Sequence, residues 1–101
     1  MSKEYTSLAE FYPYYLEEHS NRTCRRLHFV GSSLGLLALA TAIITLNPLW
    51  ILAGLVAGYA CAWIGHFFFE HNKPATFKYP WLSFQSDWIM YKDMWTGKIR
   101  F

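Results

Sequence analysis

The sequence predicts an all-α integral membrane protein: a two-span helical hairpin flanked by two interfacial amphipathic helices, all within one domain of 101 residues. Every Lys, Arg, Asp and Glu lies outside Leu27 to Phe69. That uncharged run divides at Asn47-Pro48 into two halves of spanning length, and aromatic-rich segments border it on both sides. A chain this short has too little polar surface to cover so long an apolar run as a soluble core.

The first segment, 8–18, contains "FYPYYLEEH", a cluster of aromatics beside the Glu17-Glu18 pair, and reads as an interfacial helix. It has neither the basic start nor the short apolar core of a signal peptide. The two spans, 29–46 and 49–69, are each near the roughly 20 residues that cross a bilayer core as a helix. Helices usually end by the residue before a proline, so Pro74 and Pro80 set "NKPATFKYP" as an ordered linker. The last segment, 83–95, mixes Trp88, Met90, Tyr91, Met94 and Trp95 with Asp87, Lys92 and Asp93, the pattern of a second interfacial helix.

Arg22, Arg25 and Arg26 precede the first span and Lys73 and Lys78 follow the second, while the turn between the spans has no basic residue. Both termini are therefore expected on the cytoplasmic side, of a bacterial inner membrane or of the endoplasmic reticulum in a eukaryote. A net charge of +2 gives no support for a nucleic-acid partner, although the arginine cluster suits anionic headgroups. Cys24 and Cys61, at the membrane edge and inside the second span, give no reason to expect a disulfide. Two spans alone bury little surface, which points to a homo-oligomer.

Helices associate in lipid through small residues that let backbones approach. Gly31 and Gly35 form such a stripe in the first span, and Gly54, Gly58 and Ala62 form one in the second. Each stripe leads to a histidine. His28 precedes Gly31 by three residues and His66 follows Ala62 by four. Equal rises from the turn place residue 28 opposite roughly residue 67, so His28 and His66 are expected to meet at one membrane edge. His19 reaches that edge if the chain reverses near Ser20 and Asn21. His71, five residues beyond His66 and about 140° off its face, needs a break at Asn72 to Pro74. Glu70, four residues after His66, shares its face as a further ligand or as a carboxylate behind the ligands. The four histidines are the only ones in the chain. Neutral imidazoles gathered at a membrane edge can share a divalent ion.

Two other readings stay open on residues alone. A haem between His28 and His66 would make an electron carrier. Alternatively, the stripes are packing surfaces of a non-enzymatic scaffold or lipid-binding module. Soluble zinc signatures are absent, and the roughly eight ligands of di-iron histidine boxes exceed the four histidines present.

The paired segments "YYLEEHSNRTCRRLHFVG" and "GHFFFEHNKPATFKYPWLSFQSDWIMYKDMW" resemble the small membrane family of the fungal 2-hydroxy fatty acid dioxygenase of phytosphingosine degradation, together with its bacterial homologues. The resemblance covers nearly the whole chain. It implies a helical membrane protein that uses iron(II) and dioxygen to oxidise a 2-hydroxy fatty acid to the acid one carbon shorter, with loss of carbon dioxide. It also implies that His19, His28, His66 and His71 hold the Fe(2+), and that Asn21, Asn72, Ser83 and Asp87 are polar groups near the site that serve hydrogen bonding or helix capping. Such a substrate can chelate the ion through its carboxylate and hydroxyl while dioxygen takes a remaining position, so no side chain is assigned as a separate acid or base. Arg22, Arg25, Arg26 and Lys73 are candidates to hold the carboxylate, the arginines through bidentate pairing. Glu17 or Glu18, like Glu70, could complete a dinuclear site.

Overall fold

Ser7 opens the first helix, its hydroxyl accepting from the Glu10 N–H, and α1 runs over Leu8–Glu17. The structure, a computed structural model, describes residues 5–101. After a short reversal, the Asn21 side chain accepts from the N–H groups of Thr23 and Cys24 and starts α2, Arg22–Thr45. Capping thus begins the first long helix seven residues before the apolar span expected at 29–46. Leu46 closes α2 in the left-handed conformation, and Asn47 Oδ1 accepts the Leu49 N–H to begin α3, Leu49–Ile64. The second apolar helix continues as a π-helical turn, Gly65–Glu70. A 3₁₀ turn, Ala75–Phe77, lies in the linker, and α4, Pro80–Trp95, begins with proline at its first position, where the missing N–H costs nothing.

The described residues contain two helices long and apolar enough to cross a bilayer, Arg22–Thr45 and Leu49–Glu70. Only 17% and 22% of their most apolar windows are buried inside the protein. Leu37, Ile43, Ile44 and Leu46 are 65 to 86% exposed. Soluble monomers rarely present continuous apolar surface on that scale.

Gly31 and Gly54 bring the helices together. A Cβ on Gly31 would lie 3.0 Å from the Gly58 carbonyl oxygen, and one on Gly54 would lie 2.6 Å from the Ala38 Cβ. A Cβ on Gly35 would meet nothing within 4 Å, so this member of the expected stripe borders open space. Gly54→Val is expected to lower the thermal midpoint in detergent by the equivalent of about 1–3 kcal/mol, the usual cost of overpacking. An unchanged midpoint would mean that the helices do not meet at Gly54.

The flanking helices pack on each other across the open end of the hairpin. Phe11 and Tyr15 of α1 form a core with Met90 and Met94 of α4 and Ala75 of the linker. Asp93, also buried, accepts the Tyr12 hydroxyl at 2.8 Å. Met90 and Met94 therefore face protein, whereas the interfacial pattern expected of 83–95 grouped them with Trp95, which is 67% exposed. This cap closes over the end of the hairpin where the histidines lie.

Candidate metal centre

Three chain segments deliver imidazoles to one point. The reversal between α1 and α2 places His19 inside, with its ring stacked on Tyr15 at 4.0 Å. The first turns of α2 bring Cys24 and His28 inward, four residues apart on one face. The π-helical turn carries His66. His19, His28 and His66 are at most 6% exposed, and their ring centroids lie 4.4 to 5.1 Å apart. The rings stand nearly perpendicular to one another, with interplanar angles of 80 to 87°. Together with Cys24 they form a group whose nitrogen and sulfur atoms all lie within 4.8 Å of one another.

Hydrogen bonds on the far side of each ring fix its tautomer. His19 Nδ1 lies 2.6 Å from the Tyr15 carbonyl oxygen, which can only accept. His28 Nδ1 lies 2.9 Å from Asp87 Oδ1, a carboxylate that also accepts the Tyr15 hydroxyl. His66 Nδ1 lies 2.7 Å from Asn72 Oδ1. The Asn72 amide is oriented by its own nitrogen, which donates to the Glu18 carbonyl at 3.1 Å. All three Nδ1 atoms are therefore donors, which leaves the inward-turned Nε2 of each ring to offer a lone pair.

The lone pairs converge. His28 Nε2 and His66 Nε2 are 3.2 Å apart, and buried His19 Nε2 has no hydrogen-bond partner among the described residues. A shared proton would satisfy the first two and leave the third alone, whereas a cation among them satisfies all three. His19, which lies before α2, is held neutral. Burial first, and then the neighbouring imidazoles, push its pKa well below the usual range. Tyr15 shifts the other way, because burial first and then the Asp87 carboxylate raise its phenol well above the usual value, so it remains a donor to Asp87. Three imidazoles with the opposite nitrogens tied to oxygens are the donor set that a divalent first-row metal takes, with coordination positions left open.

His71 does not join this group. The π-helical turn ends at His71, which adopts a left-handed backbone (φ 58°), and the side chain is exposed. The break expected at Asn72 to Pro74 forms one residue early and turns Asn72 inward onto His66. His71→Ala is accordingly expected to leave metal content unchanged, and loss of the metal on elemental analysis would contradict this placement.

Glu70 also has another task. It accepts the Asn21 backbone N–H and, at 3.3 Å, the Ser20 hydroxyl, which ties the start of α2 to the end of the π-helical turn. Asn21 caps α2. Asp87 and Asn72 hold His28 and His66. Ser83 is buried beside the histidines, and its hydroxyl has no hydrogen-bond partner among the described residues. The four carboxylate candidates lie elsewhere. Arg22 and Arg26 donate through Nε to the Phe101 backbone oxygen at 2.7 and 3.1 Å, and Arg25 donates to the carbonyls of His19 and Ser20. Lys73 is exposed in the linker. Glu17 is also exposed, and Glu18 serves through its backbone carbonyl.

Cys24 and Tyr15 went unread in the sequence. Cys24 shares the His28 face by simple i, i+4 spacing, a signal available in one dimension. A Cβ at Gly65 would lie 2.8 Å from its sulfur, so glycine there admits the thiol beside the imidazoles. Both cysteines are free.

Two cavities adjoin at this point. A small one of about 30 Å³ is lined by His19, His28, His66 and Ser83. A larger one of about 200 Å³ starts at His28 and Asp87 and follows the glycine faces of α2 and α3 as far as Leu39 and Ile51.

Fold and site thus define an all-helical protein with two helices of spanning length and a buried histidine and cysteine group able to hold a metal ion. The chain belongs to the 2-hydroxy-palmitic acid dioxygenase Mpo1-like family, whose family model matches residues 5–99. No curated protein and no solved structure matches it.

Proposed function

We propose that this chain is an integral membrane, iron(II)-dependent dioxygenase that converts a 2-hydroxy fatty acid to the fatty acid one carbon shorter. The observation that carries the reading is the convergence of three Nε2 lone pairs whose rings are fixed from behind by Tyr15, Asp87 and Asn72. Family membership supplies the reaction class. Dioxygen accepts four electrons as the C1–C2 bond breaks, and the products are the shortened acid, carbon dioxide and water. Bound iron would polarise the hydroxyl and carboxylate oxygens and supply the electrons that start dioxygen reduction.

The chain's own residues hold and orient. His19, His28 and His66 hold the ion. Asp87 strengthens His28 as a donor by accepting its Nδ1–H, and Asn72 fixes the His66 ring. The Ser83 hydroxyl, unpartnered beside the histidines, is free to bond a substrate oxygen. The cap of α1 and α4 buries His19 and His66 to 1% exposure, which keeps bulk water from the reacting atoms.

The largely outward-facing apolar helices support insertion in a bilayer, with both termini cytoplasmic by the distribution of basic residues. Self-association through those faces belongs to the same reading. A bis-histidine haem has no room here, because the His19 ring lies 4.4 Å from both His28 and His66, in the space a macrocycle between them would fill.

Anaerobically purified, iron-loaded protein should consume one dioxygen and release one carbon dioxide per 2-hydroxy acid, and none with the unhydroxylated acid. Absence of uptake across a full series of chain lengths would overturn the reading.

A further inference from the structure

The two adjoining cavities differ in size and polarity, and together they describe the shape of a ligand. The smaller has about 30 Å³, room for only about two water-sized groups, and offers the imidazoles and the buried, unpartnered Ser83 hydroxyl. The larger has about 200 Å³, more than the roughly 150 Å³ of core cavities that hold benzene, and is lined mainly by glycines and apolar side chains. His28, Tyr59, Ala62, Phe84 and Asp87 line both, so the polar end opens directly into the apolar groove.

We infer that the groove between α2 and α3 receives the single alkyl chain of an unesterified acid, and that Gly35 keeps it open for long chains. This inference rests on the proposed function for the chemistry at the head of the groove. Occupancy of the groove can still be read without turnover. A phosphodiester headgroup, or a thioester with its carrier, is many times larger than the polar cavity, whereas a free carboxylate is the smallest head such a chain can carry. Among the forms of the 2-hydroxy acid that the proposed function takes, the cavity therefore favours the free acid as the occupant.

The groove follows α2 from His28 to Leu39. Eleven residues at 1.5 Å each give about 16 Å. Carbon–carbon bonds of about 1.5 Å in an extended zigzag advance about 1.3 Å per methylene, so the groove matches roughly a dozen methylenes. Gly35 lies about 10 Å along it. Unlike Gly31 and Gly54, which would collide with the facing helix, Gly35 would place a side chain in open space. A larger residue at 35 fills the groove and leaves the hairpin contact intact. Leu39, at the far end, sets the opposite limit.

Binding of free 2-hydroxy acids of graded length is measured by native mass spectrometry on iron-loaded wild type, Gly35→Leu and Leu39→Ala, with oxygen uptake recorded separately. In Gly35→Leu, binding of long chains is expected to fall at least tenfold while chains of up to about eight carbons bind as in wild type. In Leu39→Ala, the optimum is expected to move to longer chains. The Leu39→Ala arm stands as a test even where Gly35→Leu does not fold. The same length profile in wild type and in each folded variant would overturn the groove assignment, as would equal binding of the acyl thioesters. Shifted binding profiles without oxygen uptake in wild type would support the groove and overturn the dioxygenase reading instead.

Discussion

Replacing His66 by alanine is expected to remove both the bound iron and 2-hydroxy-acid oxidation, with a fall in activity of at least about a thousandfold. Membrane insertion should persist, because the apolar faces of α2 and α3 are unchanged. His66 supplies one of the three Nε2 lone pairs, and its loss also leaves the Asn72 amide oxygen without a donor. Without His66 only two imidazoles and the Cys24 thiol remain, too few strong donors to retain a divalent ion in the presence of competing water. The check is metal content and oxygen uptake on the same membrane-extracted sample. Full oxidation by the variant would remove His66 from the site.

Asp87→Asn is expected to weaken metal binding by about 10–100-fold, the usual effect of removing a hydrogen-bond partner behind a metal-bound histidine. The change preserves shape but removes the charge that makes His28 a stronger donor, and a neutral amide is the weaker acceptor for the Nδ1–H. Tyr15→Phe deletes only the other hydrogen bond to Asp87 and should have a smaller effect on affinity. Competition with a chelator of known affinity measures both. Equal affinity in wild type and Asp87→Asn would show that the Asp87 charge does not act on the metal through His28.

The hairpin was legible because exclusion of charge from Leu27 to Phe69 and the spacing of glycines are one-dimensional properties that set the length of the two apolar helices and where they can approach closely. The same spacing brought His28 and His66 to one depth, and they stand 3.2 Å apart. His71 lies apart from the three imidazoles because the break expected at Asn72 to Pro74 falls at His71 itself, where a π-helical turn ends in a left-handed residue. That local backbone event decides whether His71 or Asn72 points inward. Asp87 and Asn72 were legible as polar groups near the site, but their particular partners depend on how α4 and the linker pack against α1. Tyr15 and Asp87 are 72 residues apart in sequence and touch only through that packing. The arginines in the first turns of α2 matched the pattern of a carboxylate clamp, and nothing in the pattern distinguished a bound acid from the chain's own backbone oxygens at His19, Ser20 and Phe101.

The central claim is that three imidazoles, each tied down through Nδ1, bind one iron through Nε2. X-ray absorption at the iron edge on anaerobically loaded protein, combined with elemental analysis, tests it most directly. The proposed function predicts one iron per chain with imidazole scattering from three rings, and loss of that signal in His19→Ala, His28→Ala and His66→Ala but not in His71→Ala. Protein that takes up no iron, or iron bound equally well after all three of those histidines are replaced, would contradict it.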